Sequence, residues 1–274
     1  MTRTRVLAAL LMAPVAILAI LFLPTPWMAA LAAIVFLLGL WEWLKLAEIG
    51  DTLQRTVLLV LNLMLMVLLL WASGSPLVLL QIATLVGVGW WVLSLLWLRF
   101  YDFASDHDTH ARVFKLAAGT LATLPAWCAL VLIHSGEPFG HRWLLTALMV
   151  VWAADSGAYF AGRQFGTLKL APRISPNKTI EGLLGGLVAG VGVGLAAGWY
   201  AGATVAQLPQ LALLCAVTVL FSVLGDLFES LLKRHVGAKD SGTLIPGHGG
   251  ILDRIDGVLA ALPVFLVGKE ILGL

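Results

Sequence analysis

Charge is what this sequence has least of. Only 12% of its 274 residues are Asp, Glu, Lys or Arg, about half the share found in an ordinary soluble domain, which excludes a globular protein dissolved in water. There is also no purely polar stretch of about 20 residues, so neither a disordered tail nor a sizeable domain outside a membrane has room to exist. Cysteine is nearly absent: the two, Cys128 and Cys215, each lie inside an apolar run. They read as small core residues, and neither a disulfide framework nor a thiolate metal site is indicated. With a formal net charge of only +2, no nucleic-acid partner is expected.

What is present is hydrophobic, 60% of all residues, and it comes in segments close to the roughly 20 residues that cross a bilayer as a helix. Nine can be placed, at approximately Val6–Leu23, Met28–Leu46, Thr56–Ala72, Pro76–Leu98, Phe114–Ile133, Trp143–Gly162, Gly182–Gly202, Leu208–Leu232 and Ile251–Leu272. The expected fold is therefore all-α, a polytopic membrane bundle. About five spans make an N-terminal part (1–142), and about four, with two polar loops, a C-terminal catalytic part (143–274). Arg3 and Arg5 give the first segment the look of a signal peptide, but its apolar stretch exceeds the usual 7 to 15 residues or so, and it is read as a span.

With nine spans, all of the 17 Lys and Arg residues except Arg142 and Lys269 fall on one side. Such an asymmetry marks the cytoplasmic side, and both polar loops, Arg163 to Glu181 and Lys233 to Gly250, share it. The seventh span has a glycine at every fourth residue from Gly182 to Gly202, a bare stripe along which another helix approaches closely. Packing within the same chain is the favoured use; a homodimer interface is the other.

Ionisable groups inside a membrane are costly and call for a reason. Asp155 and Asp226 each lie roughly 10 Å from a basic cytoplasmic helix end, near the depth of lipid phosphates. Asp226, Glu229 and Ser230 share one helix face, with Lys233 and Arg234 a turn further on. For Glu229 a plain ion pair with Lys233 is an equal alternative. Then follows Lys239-Asp240-Ser-Gly-Thr-Leu-Ile-Pro-Gly-His248-Gly249-Gly250-Ile-Leu-Asp253-Arg254-Ile-Asp256. Its glycines let backbone N–H groups approach an anion, and a helix starting near Gly250 points its positive end the same way. Carboxylates on two helices beside such a loop suit Mg²⁺-assisted phosphoryl chemistry. In the other loop, Ser175 followed by proline predicts a helix start with Lys178 in its first turn, where a bound phosphate would relieve the clash with the helix dipole. His248 is open between a phosphate donor and a turn residue. The Asp106-His107-Asp108-Thr109-His110 segment is read as a polar connector.

The run Ser230-x-x-Lys233-Arg234-x-x-x-x-Lys239-Asp240-x-Gly242-x-x-Ile245-Pro246-x-His248-Gly249-Gly250-x-x-Asp253-Arg254-x-Asp256 resembles the signature of phosphatidate cytidylyltransferases, also called CDP-diacylglycerol synthases. Two further segments are similar to that family: Asp155-Ser-Gly-Ala-Tyr-Phe-Ala-Gly-Arg163, and Ser175-Pro-Asn177-Lys178-Thr-Ile-Glu181-Gly, where Asn177 replaces a residue that is often Lys or Gly. The resemblance covers the C-terminal half from about Val151. It implies CTP and phosphatidic acid as substrates, CDP-diacylglycerol and pyrophosphate as products, Mg²⁺ as cofactor and K⁺ as a candidate second ion. It further implies metal ligands at Asp226 and Asp253, with Asp256 a third candidate, and substrate contacts around Lys178 and from Lys239 to Arg254. A bacterial inner membrane is the expected location. Two rival readings are a CTP-using polyprenol kinase and an ion-coupled transporter binding its cation at Asp155 and Asp226.

Overall fold

The computed structural model describes residues 13–74, 77–242 and 249–274. Within them the chain forms α1 (Ala13–Phe22), α2 (Thr25–Leu46), α3 (Thr52–Ser73), α4 (Val78–Arg99), α5 (Thr109–Ser135), α6 (Gly140–Phe165), β1 (Lys169–Ala171), β2 (Ser175–Thr179), α7 (Ile180–Tyr200), α8 (Leu208–His235) and α9 (Leu252–Leu272). These helices match the nine expected spans to within a few residues; the start of the first span, with Arg3 and Arg5, lies outside the described residues. Helices α2 to α8 are each long and apolar enough to cross a membrane. α9 is as long, but carries Asp253, Arg254 and Asp256 in its opening turns and Lys269 and Glu270 near its end. The chain is a multi-pass membrane protein.

Its exterior is apolar. Trp71, Val188 and Ile271 are more than three-quarters exposed, and α3 buries only Asn62 and Met66. Lipid tails are as apolar as these side chains, so helices in a bilayer associate by close packing of small residues rather than by hiding oily ones. The α7 stripe does this. A Cβ added at Gly186 would meet the Ala154 carbonyl of α6, one at Gly194 the Cys215 side chain of α8, and one at Gly198 the Leu211 side chain of α8. The stripe is thus consumed between α6 and α8 of the same chain, as favoured from the sequence, and is not open to a second copy.

Tryptophans lock the other half of the bundle. Phe228 of α8 is fully buried, with the rings of Trp43, Trp90, Trp91 and Trp97 centred 5.3–5.9 Å from it. The indole N–H groups of Trp43 and Trp91 donate to the carbonyls of Lys115 (2.8 Å) and Leu259 (3.1 Å). Each ring therefore buries its body while satisfying its polar tip. Together these contacts fix the rotation of α2, α4 and α8, and Phe228, two residues beyond Asp226, holds its side of α8 turned inward.

One local expectation is corrected. Ser175 does not start a helix: residues 175–179 form β2, paired antiparallel with β1 in the register Lys169 to Thr179 and Ala171 to Ser175. The helix begins at Ile180 instead, because the Thr179 hydroxyl accepts the Gly182 amide at 3.1 Å and supplies the cap. The Glu181 carboxylate, meanwhile, takes the Thr167 hydroxyl and the Leu168 amide (3.1 Å). With its first turn tied back to Leu168, α7 cannot extend into residues 175–178, and Lys178 stands on a strand beside the helix mouth.

Candidate active site

The site is built where α8 and α9 cross. At Gly225 a Cβ would run into the backbone carbonyl of Asp256, and at Gly257 one would meet the Ser222 hydroxyl. These glycines let the two helix backbones touch, and the residue following the first, Asp226, and the one preceding the second, Asp256, are carboxylates. Asp155 of α6 and Asp256 of α9 each lie within electrostatic reach of Asp226 and of Lys178; Arg254 lies within reach of Asp155. The β-hairpin delivers Lys178 to this group: its ammonium is 2.5 Å from Asp226 Oδ2, while the Ser230 hydroxyl donates to Asp226 Oδ1 at 3.3 Å. Arg234 Nε donates to the Ile174 carbonyl at 3.0 Å, which ties the hairpin turn to the end of α8. Arg234 thus acts on the backbone here, with Ser175 its near neighbour in β2.

Lys233 is more deeply engaged. Its ammonium donates to Glu229 Oε2 at 2.6 Å and to Asp253 Oδ1 at 2.8 Å, and the three side chains are 11%, 1% and 13% exposed. The ion pair between Glu229 and Lys233 that the spacing allowed is therefore real, and Lys233 also clamps α8 to α9. Asp253 in turn accepts the Ser241 amide (3.1 Å) and the Gly250 amide (2.8 Å). It organises both ends of the loop between α8 and α9. Gly249 sits at φ +85°, where a side chain is strained, and a Cβ there would lie 2.8 Å from Asp253 Oδ2. Lys239 and Asp240 are exposed on the same loop; His248 lies outside the described residues.

Among the described residues no group of three or more His, Cys, Asp or Glu side chains is already close enough to cage a metal ion. The donor chemistry nonetheless fits a hard divalent cation. Among the described residues the site offers carboxylate oxygens without thiolate, next to ammonium groups that can exchange their partners, and Glu229 Oε1 is buried with no hydrogen-bond partner.

The sequence reading missed Glu42. It lies on α2, in the half of the chain whose resemblance was only hydrophobic, and is completely buried. Its Oε2 accepts the Ser241 hydroxyl (3.0 Å) and the Leu252 amide (2.8 Å). A Cβ on Gly242 or Gly250 would collide with its carboxylate. A signal was available: a lone carboxylate inside an apolar span, the criterion that singled out Asp155 and Asp226.

A multi-pass helical bundle that gathers carboxylates and ammonium groups at one end defines a membrane enzyme equipped for phosphate chemistry. The profile of the cytidylyltransferase family matches residues 3–272, and the chain belongs to that family. The phosphatidate cytidylyltransferase of Pseudomonas aeruginosa is 40% identical over 269 residues, covering 97% of this chain and 96% of that protein. That of Haemophilus influenzae is 37% identical, with 97% of each chain covered. That of Bacillus subtilis is 47% identical over 135 residues, 48% of each chain.

Proposed function

We propose that this chain transfers the cytidylyl group of CTP to phosphatidic acid, releasing pyrophosphate and leaving CDP-diacylglycerol in the membrane. The observation that carries the reading is the meeting of Lys178 and Asp226, beside Asp155 and Asp256, at the polar end of a lipid-facing bundle. Relatives that bear this activity in their names match along nearly the whole chain.

The lipid phosphate is already an anion at neutral pH and needs no strong base. One of its oxygens attacks the α-phosphorus of CTP; the new P–O bond forms as the bond to the α,β-bridging oxygen breaks, and the electron pair leaves with pyrophosphate. The difficulty is bringing two anions together, so the residues' task is positioning and neutralisation. Lys178 exchanges Asp226 for a phosphate oxygen, while Lys239 and Arg254 face the lipid phosphate and the departing pyrophosphate. Asp226, Asp253 and Asp256 are the proposed holders of Mg²⁺, Asp253 by giving up one of its present donors, and the ion when bound supplies charge neutralisation at the triphosphate. A monovalent cation such as K⁺ completes the proposed set. The polar end faces the cytoplasm of a bacterial inner membrane, where CTP is present.

Purified protein, phosphatidic acid, Mg²⁺ and CTP labelled at either the α- or the γ-phosphorus test this directly. Label from the α position should enter the lipid and γ-label should leave as pyrophosphate; γ-label in the lipid would make the protein a kinase and overturn the assignment.

A further inference from the structure

The carboxylate of Glu42 stands apart from the acids above: it belongs to α2, it is sealed from solvent, and it meets the catalytic region through Ser241 and Leu252. One of its oxygens, Oε2, gathers Ser241 and Leu252, eleven positions apart, onto a single point. The Leu252 amide belongs to the first turn of α9, where backbone N–H groups have no partner within the helix and a negative charge is favoured. The surroundings hold Glu42 in place. The next residue, Trp43, stacks on Phe228 of α8 at an interplanar angle of 23°, and Gly39, one turn earlier, abuts Ile255 and Leu252 of α9. Gly242 and Gly250 leave room for the carboxylate, since a Cβ at either position would collide with it.

We propose that Glu42 is a positioning residue for the acidic site: by fixing Ser241 and the first turn of α9, it sets Asp253 and Asp256 in register against Asp226 of α8. The N-terminal helices thereby supply a working part of the site. This inference rests on the reading above, that Asp226, Asp253 and Asp256 hold Mg²⁺.

Glu42→Ala removes both hydrogen bonds. Residues that support metal ligands from behind typically matter by about 10- to 100-fold. The folded variant should therefore need about that much more Mg²⁺ for half-maximal activity, and it should lose the rise in Tm that Mg²⁺ alone gives the wild type. Glu42→Gln keeps a carbonyl oxygen in the same place, and its amide nitrogen replaces Oε1, which has no hydrogen-bond partner among the described residues. It should recover most of the loss in both readouts, what remains coming from the charge on the two retained hydrogen bonds and from an amide NH2 buried without an acceptor.

Wild-type Mg²⁺ dependence and melting response in Glu42→Ala would overturn the proposal, as would a Glu42→Gln variant no better than the alanine. Should Glu42→Ala not fold, Ser241→Ala, which deletes one hydroxyl, decides: the proposal requires a raised Mg²⁺ requirement there and is overturned by an unchanged one. Asp226→Asn in the same assays separates the two levels of argument. If Asp226→Asn keeps the wild-type Mg²⁺ response, the metal reading itself falls; if it loses that response while Glu42→Ala keeps it, only the role of Glu42 falls.

Discussion

Gly225→Ala is the sharpest perturbation the structure offers, since it adds one methyl group at the α8–α9 crossing. That carbon would overlap the Asp256 carbonyl oxygen and lie 3.1 Å from its carbon and 3.2 Å from the Ala260 Cβ. Two of these three atoms are backbone, so no side chain can swing aside, and restoring ordinary separations of about 3.5–4.0 Å requires the helices to part by roughly 1 Å. Overpacking of this kind costs about 1–3 kcal/mol, which a multi-helix bundle survives. Function should suffer far more, because Asp226 and Asp256 are the immediate neighbours of the contact and a misplacement of about 1 Å can cost on the order of 100-fold in rate. The expected result is a protein that purifies and melts cooperatively a few degrees early, with cytidylyl transfer lowered by about two orders of magnitude. Gly192→Ala on α7, where an added Cβ meets nothing within 4 Å, is the control and should match the wild type in both respects. A folded Gly225→Ala protein with activity within about twofold of the wild type would refute the claim that this crossing sets the geometry of the acids.

Two further outcomes follow from the buried and half-buried charges. Lys233→Met should lower stability by about 3–5 kcal/mol, since it strands Glu229 and Asp253 without their shared cation; a melting temperature equal to the wild type's would show that those carboxylates do not depend on it. Outside the spans, burial opposes ionisation of Glu48, but the hydrogen bond with His107 (2.6 Å) and the charges of Lys115, His107 and Arg112 outweigh it, holding its carboxyl below the usual 4.5. A depressed folded-state value means stabilisation that is complete above the unfolded range and is lost as pH falls through the folded value. Below pH 4.5 the wild type should therefore lose melting temperature faster than Glu48→Gln, and parallel acid profiles for the two would contradict the pairing.

The fold was legible because a bilayer leaves few choices: a chain of long apolar runs must form helices. The α7 stripe was legible as a packing surface, and of its two open uses the favoured one, packing within the chain, is the one found against α6 and α8. What failed was local. The Ser175-Pro176 pair carries a valid start signal, but Thr179 carries one as well, and Glu181 reaches back to Thr167 and Leu168. Two competing caps four residues apart look alike in a sequence; the tie-back that decides between them is a tertiary contact.

The site was legible by composition and less so by role. Asp226, Asp256 and Lys178 do converge, yet Lys233 and Asp253, which resemble ligand-facing residues in the linear pattern, also hold the protein together. A chain of donors and acceptors runs from Glu229 through Lys233 and Asp253 to the Ser241 amide, and the Ser241 hydroxyl continues it to Glu42 on α2. Groups so linked share one equilibrium, so a substrate phosphate or a cation that draws on Asp253 must also shift Lys233 and, through Ser241, the contact with α2. Spacing along one helix reveals which side chains share a face. It does not reveal that the face is completed by a carboxylate some two hundred residues earlier, where the only trace is one acid in an oily span.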